Sequence, residues 1–156
     1  MSALQEMMVR YAAPGQIAWV GLRPSRRADM VAVESARVTE AGLEGDHGRP
    51  GKRALTLVQA EHLAAIGAYL GRAPVMPAQM RRNVVVAGLN LASMKGREVM
   101  LGSVVVRLTT ICAPCSRMEE TFGHGGYAAV RGHGGWCAEI VQPGEINCGV
   151  PVRPLD

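Results

Sequence analysis

A chain of 156 residues is enough for one domain with a self-sufficient core and leaves no room for two of ordinary size. With 48% apolar, 19% charged and only 4% aromatic residues it is globular rather than disordered, and its core must be built from Val, Leu, Ile, Ala and Met. A formal charge of +4 helps to attract a small phosphorylated ligand but is too small and scattered to argue for nucleic acid, and no apolar run reaches the ~18 residues of a membrane span.

In chain order, residues 1–14 form an N-terminal extension in which 1–13 predict a short helix, with Leu4, Met7 or Met8, and Tyr11 on one side. The extension carries Glu6 and lacks the basic start, apolar middle and cleavage site of a signal peptide, so a cytoplasmic location with reduced thiols is expected. The domain proper, 15–153, opens with a strand around Ile17–Val20 and continues with a Val-rich strand over Met30–Val38. Residues 41–51 are too rich in glycine for regular structure and read as a functional or turn-rich loop. Ala54–Val58 reads as a short buried strand, and Gln59–Leu70 as a helix with Leu63, Ile66 and Leu70 on one face. Pro74 and Pro77 break the chain before a Val84–Val86 strand.

Glu98–Leu101 and Ser103–Ile111 predict two strands joined tightly around Gly102. Helical stretches follow at 116–122 and 127–131, then strands over Trp136–Val141 and Ile146–Val152 separated by a Pro143-Gly144 turn. About seven strands and a few short helices, without regular crossover helices, predict a mainly β, barrel-like domain rather than a doubly wound sheet.

Cys112-Ala113-Pro114-Cys115 sits where a strand hands over to a helix. Two thiols three residues apart can share a metal or form a reversible disulfide, and the unpaired N–H groups of a helix start favour the thiolate. The same pair can also be two buried small hydrophobes. A structural zinc would need four ligands in two close pairs, and Cys137 and Cys148 are too far apart to be the second. A thioredoxin-like redox role would need a βαβ unit ahead of the pair, which the sequence does not suggest.

Gly45–Lys52 fails as a phosphate loop because Asp46 occupies a required glycine and Arg53 replaces the Ser or Thr. It still offers His47, Arg49, Lys52 and Arg53 as an anion-facing rim, or a solvated turn. Arg81-Arg82-Asn83 precedes a strand and combines guanidinium forks with an amide. Thr56 inside an apolar strand is ordinarily a β-former. Gly-His-Gly-Gly occurs at 123–126 and 132–135, so that His124 and His133 lie in turns that could reach a metal, and Glu119 and Glu120 favour a helix start.

The order of these pieces resembles the MOSC domain, a family named after the C-terminal part of molybdenum cofactor sulfurases. The resemblance rests on Gly42-Leu43-Glu44-Gly45-Asp46-His47, Leu55-Thr56-Leu57, Arg81-x-Asn83-Val84-Val85-Val86, Leu101-Gly102-Ser103-Val104-Val105, the thiol pair, Gly134-Gly135-Trp136-Cys137, Gly144-Glu145-Ile146 and Gly149-Val150-Pro151-Val152. It implies a β-barrel-like fold with peripheral helices and the molybdenum cofactor (molybdopterin) as the ligand. By position, Cys115 would be the metal ligand and catalytic centre, and Arg81 and Asn83 would hold phosphate or pterin with Thr56 nearby. Cys112 and Arg117 would belong to the same cofactor-binding set.

Three functions follow from the resemblance. One is an oxidoreductase acting on N-hydroxylated compounds, fed by an electron-donor protein because the chain carries no flavin, haem or iron–sulfur motif. Another is a sulfur carrier holding a persulfide on Cys115 or Cys112, supplied by a separate cysteine desulfurase. The last is a cofactor-binding module without turnover. All three imply small-molecule ligands, and none a nucleic acid or membrane partner.

Overall fold

Strand β1 (Gly15–Leu22) is the seam of the molecule, paired with β2 (Val31–Val33), β6 (Val84–Ala87) and β11 (Pro151–Pro154). In the computed structural model, which describes residues 1–156, the remaining strands are β3 (Ser35–Thr39), β4 (Gly42–Leu43), β5 (Leu55–Gln59), β7 (Glu98–Leu101), β8 (Val104–Ile111), β9 (Trp136–Gln142) and β10 (Gly144–Asn147). Hydrogen-bonded neighbours run β11, β7, β8, β9, β5, β6, β1, and the pairing of Gly15 with Val152 closes the ring into a seven-stranded barrel. Closure removes the exposed edges that an open sheet of this size would carry. A small sheet, β10-β3-β4, packs beside it.

Side-chain alternation assigns the two faces of each wall strand. On β6, Val84 and Val86 enter the barrel core while Val85 joins a second core under the helices. On β5, Leu55 and Leu57 point inward and Val58 outward. The inner core is filled by Ile17, Leu101, Val104, Val106 and Leu108, the outer by Ile66, Met80, Met118, Phe122 and Val130. Each such side chain, fully buried, contributes about 1.5–3 kcal/mol of transfer free energy.

β5 and β6 run parallel, joined by helices α2 (Ala60–Tyr69) and α3 (Pro77–Met80), which follow α1 (Ala3–Met8) in the chain. A βαβ unit therefore does precede the thiol pair, contrary to expectation. Its strands are mostly apolar and buried along their length because both faces are covered. The unit is embedded in a closed barrel, not in the open sheet of a redox fold.

Two expected strands are each divided. Met30–Val38 becomes β2 and β3, and Ile146–Val152 becomes β10 and β11, with the members of each pair in different sheets. The breaks face each other: the Cys148 amide donates to the Glu34 carbonyl, and Gly149 takes a φ of 90°. The N-terminal helix spans only Ala3–Met8, closed by a Ser2–Gln5 capping box, and buries none of its residues. No helix is long and apolar enough to cross a membrane.

Candidate functional site

Strand β8 outruns the barrel. Its burial ends at Thr110–Ile111, and it delivers Cys112-Ala113-Pro114-Cys115 to the rim, where helix α4 (Ser116–Phe122) begins with Cys115 as its N-cap. The strand-to-helix corner is where the sequence placed it. The loop is held from below by Arg82, whose Nε donates to the Gly134 carbonyl (2.7 Å) and whose Nη2 donates to the carbonyls of Cys112 (3.3 Å) and Ala113 (3.4 Å). Gly134 and Gly135 let this happen. A Cβ at Gly134 would meet the Cys112 carbonyl, and Gly135 sits at φ 92° with its α-carbon against the Leu57 carbonyl.

Cys115 opens into a cleft of about 330 Å³. Its walls carry six arginines (Arg23, Arg26, Arg27, Arg81, Arg82 and Arg117) with His47, against one acidic lining residue, Glu120. Arg82 is only 7% exposed and takes part in none of the chain's ion pairs, so its cation is largely buried without an anion. Burial, and then the charges of Arg117 and Arg23, push the Arg81 guanidinium below its usual pKa. Crowded guanidinium forks facing a common space suit a phosphate or another polyanion.

Arg81 adopts φ 58°, the only non-glycine residue in the left-handed region, at the end of α3. This strain costs on the order of 1 kcal/mol and turns three successive side chains in three directions. Arg81 reaches the cleft while bonding the Ala28 carbonyl at 2.6 Å, Arg82 goes under the thiol loop, and Asn83 goes into the core. Arg117 donates to the Arg26 carbonyl at 3.2 Å and shares that acceptor with Arg81.

Asn83 and Thr56 stand differently from the expectation of cofactor contact. Asn83 is fully buried and Thr56 is 5% exposed. The Asn83 amide is saturated internally: its Oδ1 accepts from the Thr56 amide and hydroxyl, and its Nδ2 donates to the Gly21 carbonyl and to Asp46. Neither lines the cleft; they lie in a buried floor beneath Arg23, whose Nη2 is 3.4 Å from Asn83 Oδ1.

The centre of that floor is Asp46, which in the sequence breaks the phosphate-loop pattern and belongs to the Gly42–His47 motif, with no sign there of a buried role. The Asp46 carboxylate is fully buried and accepts from the Arg23 amide (2.6 Å), Arg23 Nη2 (3.0 Å), Gly48 N–H (3.1 Å) and Asn83 Nδ2 (3.1 Å). Burial alone would raise its pKa, but the Arg23 hydrogen bonds and charge, with Asn83, bring it below the ordinary carboxylate range. Arg23 carries no signal in the sequence and Arg82 only that of the Arg81-Arg82-Asn83 stretch, because local sequence does not predict which face an arginine fork will reach.

Cys112 lies on the other side of the loop. Its amide donates to the Gly135 carbonyl, which brings it beside Cys137 on β9. Cys137, as hydrogen-bond partner, draws the Cys112 thiol down to about 6, with the charges of Arg82, Arg23 and Arg53 adding to the effect against burial, while Cys137 keeps its proton and its pKa is pushed up. Cys112 is thus coupled electrostatically to Cys137, a neighbour that the sequence did not suggest, and all four cysteines are free thiols. Alkylation of Cys112 by iodoacetamide should reach half its plateau near pH 6, and Cys137→Ala should move that midpoint upward. A midpoint at the ordinary thiol value in the wild type would refute this activation.

Of the basic loop, His47 lines the cleft, its Nδ1 2.8 Å from the Arg23 carbonyl, whereas Arg49, Lys52 and Arg53 do not. Glu119 bonds the amides of Gly125 and Tyr127 and so fastens α4 to α5 (Gly126–Val130) instead of capping its own helix. The repeated His-Gly turns bring no metal cluster: no three His, Cys, Asp or Glu side chains converge anywhere in the chain. His133 instead packs edge-on against His62, with ring centroids 4.9 Å apart.

The fold has solved counterparts. YuaD from Bacillus subtilis superposes with a TM-score of 0.78 at 14% identity, covering 92% of this chain and 97% of that one. YiiM from Geobacillus stearothermophilus gives 0.76 at 19% identity, covering 92% and 76%, and YiiM from Escherichia coli 0.70 at 21%, covering 90% and 70%. No curated protein matches the chain by sequence. The MOSC domain model matches residues 43–153, which takes in the Asp46 floor, the Arg81–Asn83 turn, both loop thiols and the closing strands, and the chain belongs to the MOSC domain family.

Proposed function

We propose that the chain is a molybdenum-cofactor-binding oxidoreductase of the cytoplasm that reduces N-hydroxylated compounds, with Cys115 as the molybdenum ligand. The observation that carries this reading is the placement of an exposed thiol in a cleft walled by six arginines. The residues fit the cofactor. A thiolate is the soft donor that such a metal takes, and the unpaired Arg82 with Arg81 and Arg117 supplies cationic hydrogen-bond donors for a phosphorylated pterin. With no protein cluster of three ligands, the remaining metal ligands would belong to the cofactor.

When bound, the cofactor supplies the oxygen-atom and two-electron chemistry. The chain's residues hold and orient it. Arg82 fixes the loop that bears the thiol, Asp46 fixes Arg23, and His47 and Glu120 are the groups on the cleft wall able to hold or pass protons. Electrons come from a donor protein. Protein made in a cofactor-synthesising host is expected to carry molybdenum and a phosphorylated pterin in near-equal amount and to reduce a hydroxylamine substrate with a reduced flavoprotein donor. Absence of both metal and pterin would overturn the reading.

The activated Cys112 favours a second reading, a sulfur carrier. Incubation with a cysteine desulfurase should then add one sulfur atom to a peptide containing Cys112; an unchanged mass excludes it.

A further inference from the structure

The thiol loop is a partition between two clefts. Behind it, away from the arginine wall, lies a second cavity of about 250 Å³ with Cys112 among its lining residues. We propose that this cavity is a separate small-molecule site, for a flat aromatic or heteroaromatic compound bearing a carboxylate or similar anionic edge, held next to Cys112.

Three observations point there. First, the walls are flat. Trp136, Tyr127 and the His62 imidazole all line the cavity, with Pro114 and Ile111 closing it, in a chain that has only two Trp and three Tyr residues. Ile111 and Tyr127 are 60% and 44% exposed, so this apolar surface is not core that happens to reach the outside. At about 250 Å³ the cavity is just below the ~300 Å³ where drug-sized ligand pockets begin, which limits it to one or two fused rings.

Second, the charge is one-sided. Arg131 lines the cavity, makes no ion pair or side-chain hydrogen bond, and no Asp or Glu is among the lining residues. Burial, and then the His133 ring, push the His62 pKa down, which favours the neutral imidazole with one donor and one acceptor nitrogen over a second cation. Gln59 is spent: its amide bonds Glu61, the Val86 and Leu89 carbonyls and the Leu91 amide. One free guanidinium beside aromatic walls recognises an anionic edge on a planar ring.

Third, the cavity is built rather than incidental. Its back wall is the Gly134–Gly135 turn, where a side chain would collide with the Cys112 and Leu57 carbonyls, and its lip is anchored through Glu119 bonding the Tyr127 amide. It shares no lining residue with the arginine cleft, so the proposal does not depend on a metal at Cys115.

The test uses the full chain without cofactor, with quinoline-2-carboxylate as the probe and cyclohexanecarboxylate as a non-planar acid of similar charge, both titrated by calorimetry. The planar acid is expected to bind saturably, to be weakened about tenfold in each of Arg131→Gln and Tyr127→Ala, and to protect Cys112 from alkylation. Arg131 and Tyr127 are exposed, so thermal melts should match the wild type and verify folding. Equal affinity for the two acids, or binding lost in Arg81→Gln but kept in Arg131→Gln, would assign the anion to the arginine cleft and overturn the proposal. No saturable binding at millimolar probe would overturn it as well.

Discussion

Protein carrying Cys115→Ser, made in a host that synthesises the molybdenum cofactor, is expected to keep its fold and lose its metal. Cys115 is exposed, makes no side-chain hydrogen bond and caps α4 without using its sulfur. Serine is a better N-cap than cysteine, so the melting temperature should stay level or rise slightly. What serine lacks is a soft sulfur donor, since a hydroxyl is a hard ligand that does not ionise near neutrality. Molybdenum content and reductase activity should both fall by at least about 100-fold, more than the 10–100-fold typical of losing an outer partner of a metal ligand. Cys148→Ser, whose sulfur lies near the Val33 carbonyl on β2 and lines neither cleft, should leave metal content unchanged. Equal molybdenum in wild type and Cys115→Ser, by elemental analysis, would remove the ligand assignment.

Asp46→Ala is expected to have the largest effect on stability. The carboxylate accepts from the Arg23 backbone and fork, from Gly48 and from Asn83 with no exposure of its own. Deleting it strands the Arg23 guanidinium and leaves Asn83 Nδ2 with only the Gly21 carbonyl as partner. Breaking a buried pair in this way costs about 3–5 kcal/mol. In a domain of this size that lowers the melting temperature by about 10 °C. Asp46→Asn keeps the shape and part of the bonding, and should cost less.

The pH dependence has a definite sign. The folded-state pKa of Asp46 lies below the unfolded value of about 4, so its contribution is complete above about pH 4 and is lost as pH falls through the lowered folded-state value. Thermal melts across that acid range should show the wild type losing stability faster than Asp46→Asn. Parallel curves would show that the carboxylate charge is not what holds the floor together.

The features that lie in local sequence were legible before any coordinates. Apolar runs at Leu55–Val58 and Val84–Val86 read as strands, the first as a buried one, and the Cys-Ala-Pro-Cys segment before Ser116–Phe122 reads as a strand-to-helix corner, which is what the fold has. A glycine-rich loop at 41–51 could be expected to serve a site, because so little of it can pack. The long-range facts were out of reach. Whether Met30–Val38 is one strand or two depends on Cys148 bonding Glu34 across the molecule.

Alternation along a strand is known from sequence, but which face meets the cavity is set by barrel closure. That is why Asn83 and Thr56 pass from expected ligand contacts to a buried floor, while Arg82, one residue earlier, becomes the clamp under the thiol loop. The same closure brings Cys137 to Cys112 and divides the two loop thiols between an arginine cleft and an aromatic one. Sequence spacing fixes which residues are chemically able to act; only the folded chain sets the distances over which charges and hydrogen bonds decide which of them do, since those interactions fall off within a few ångströms.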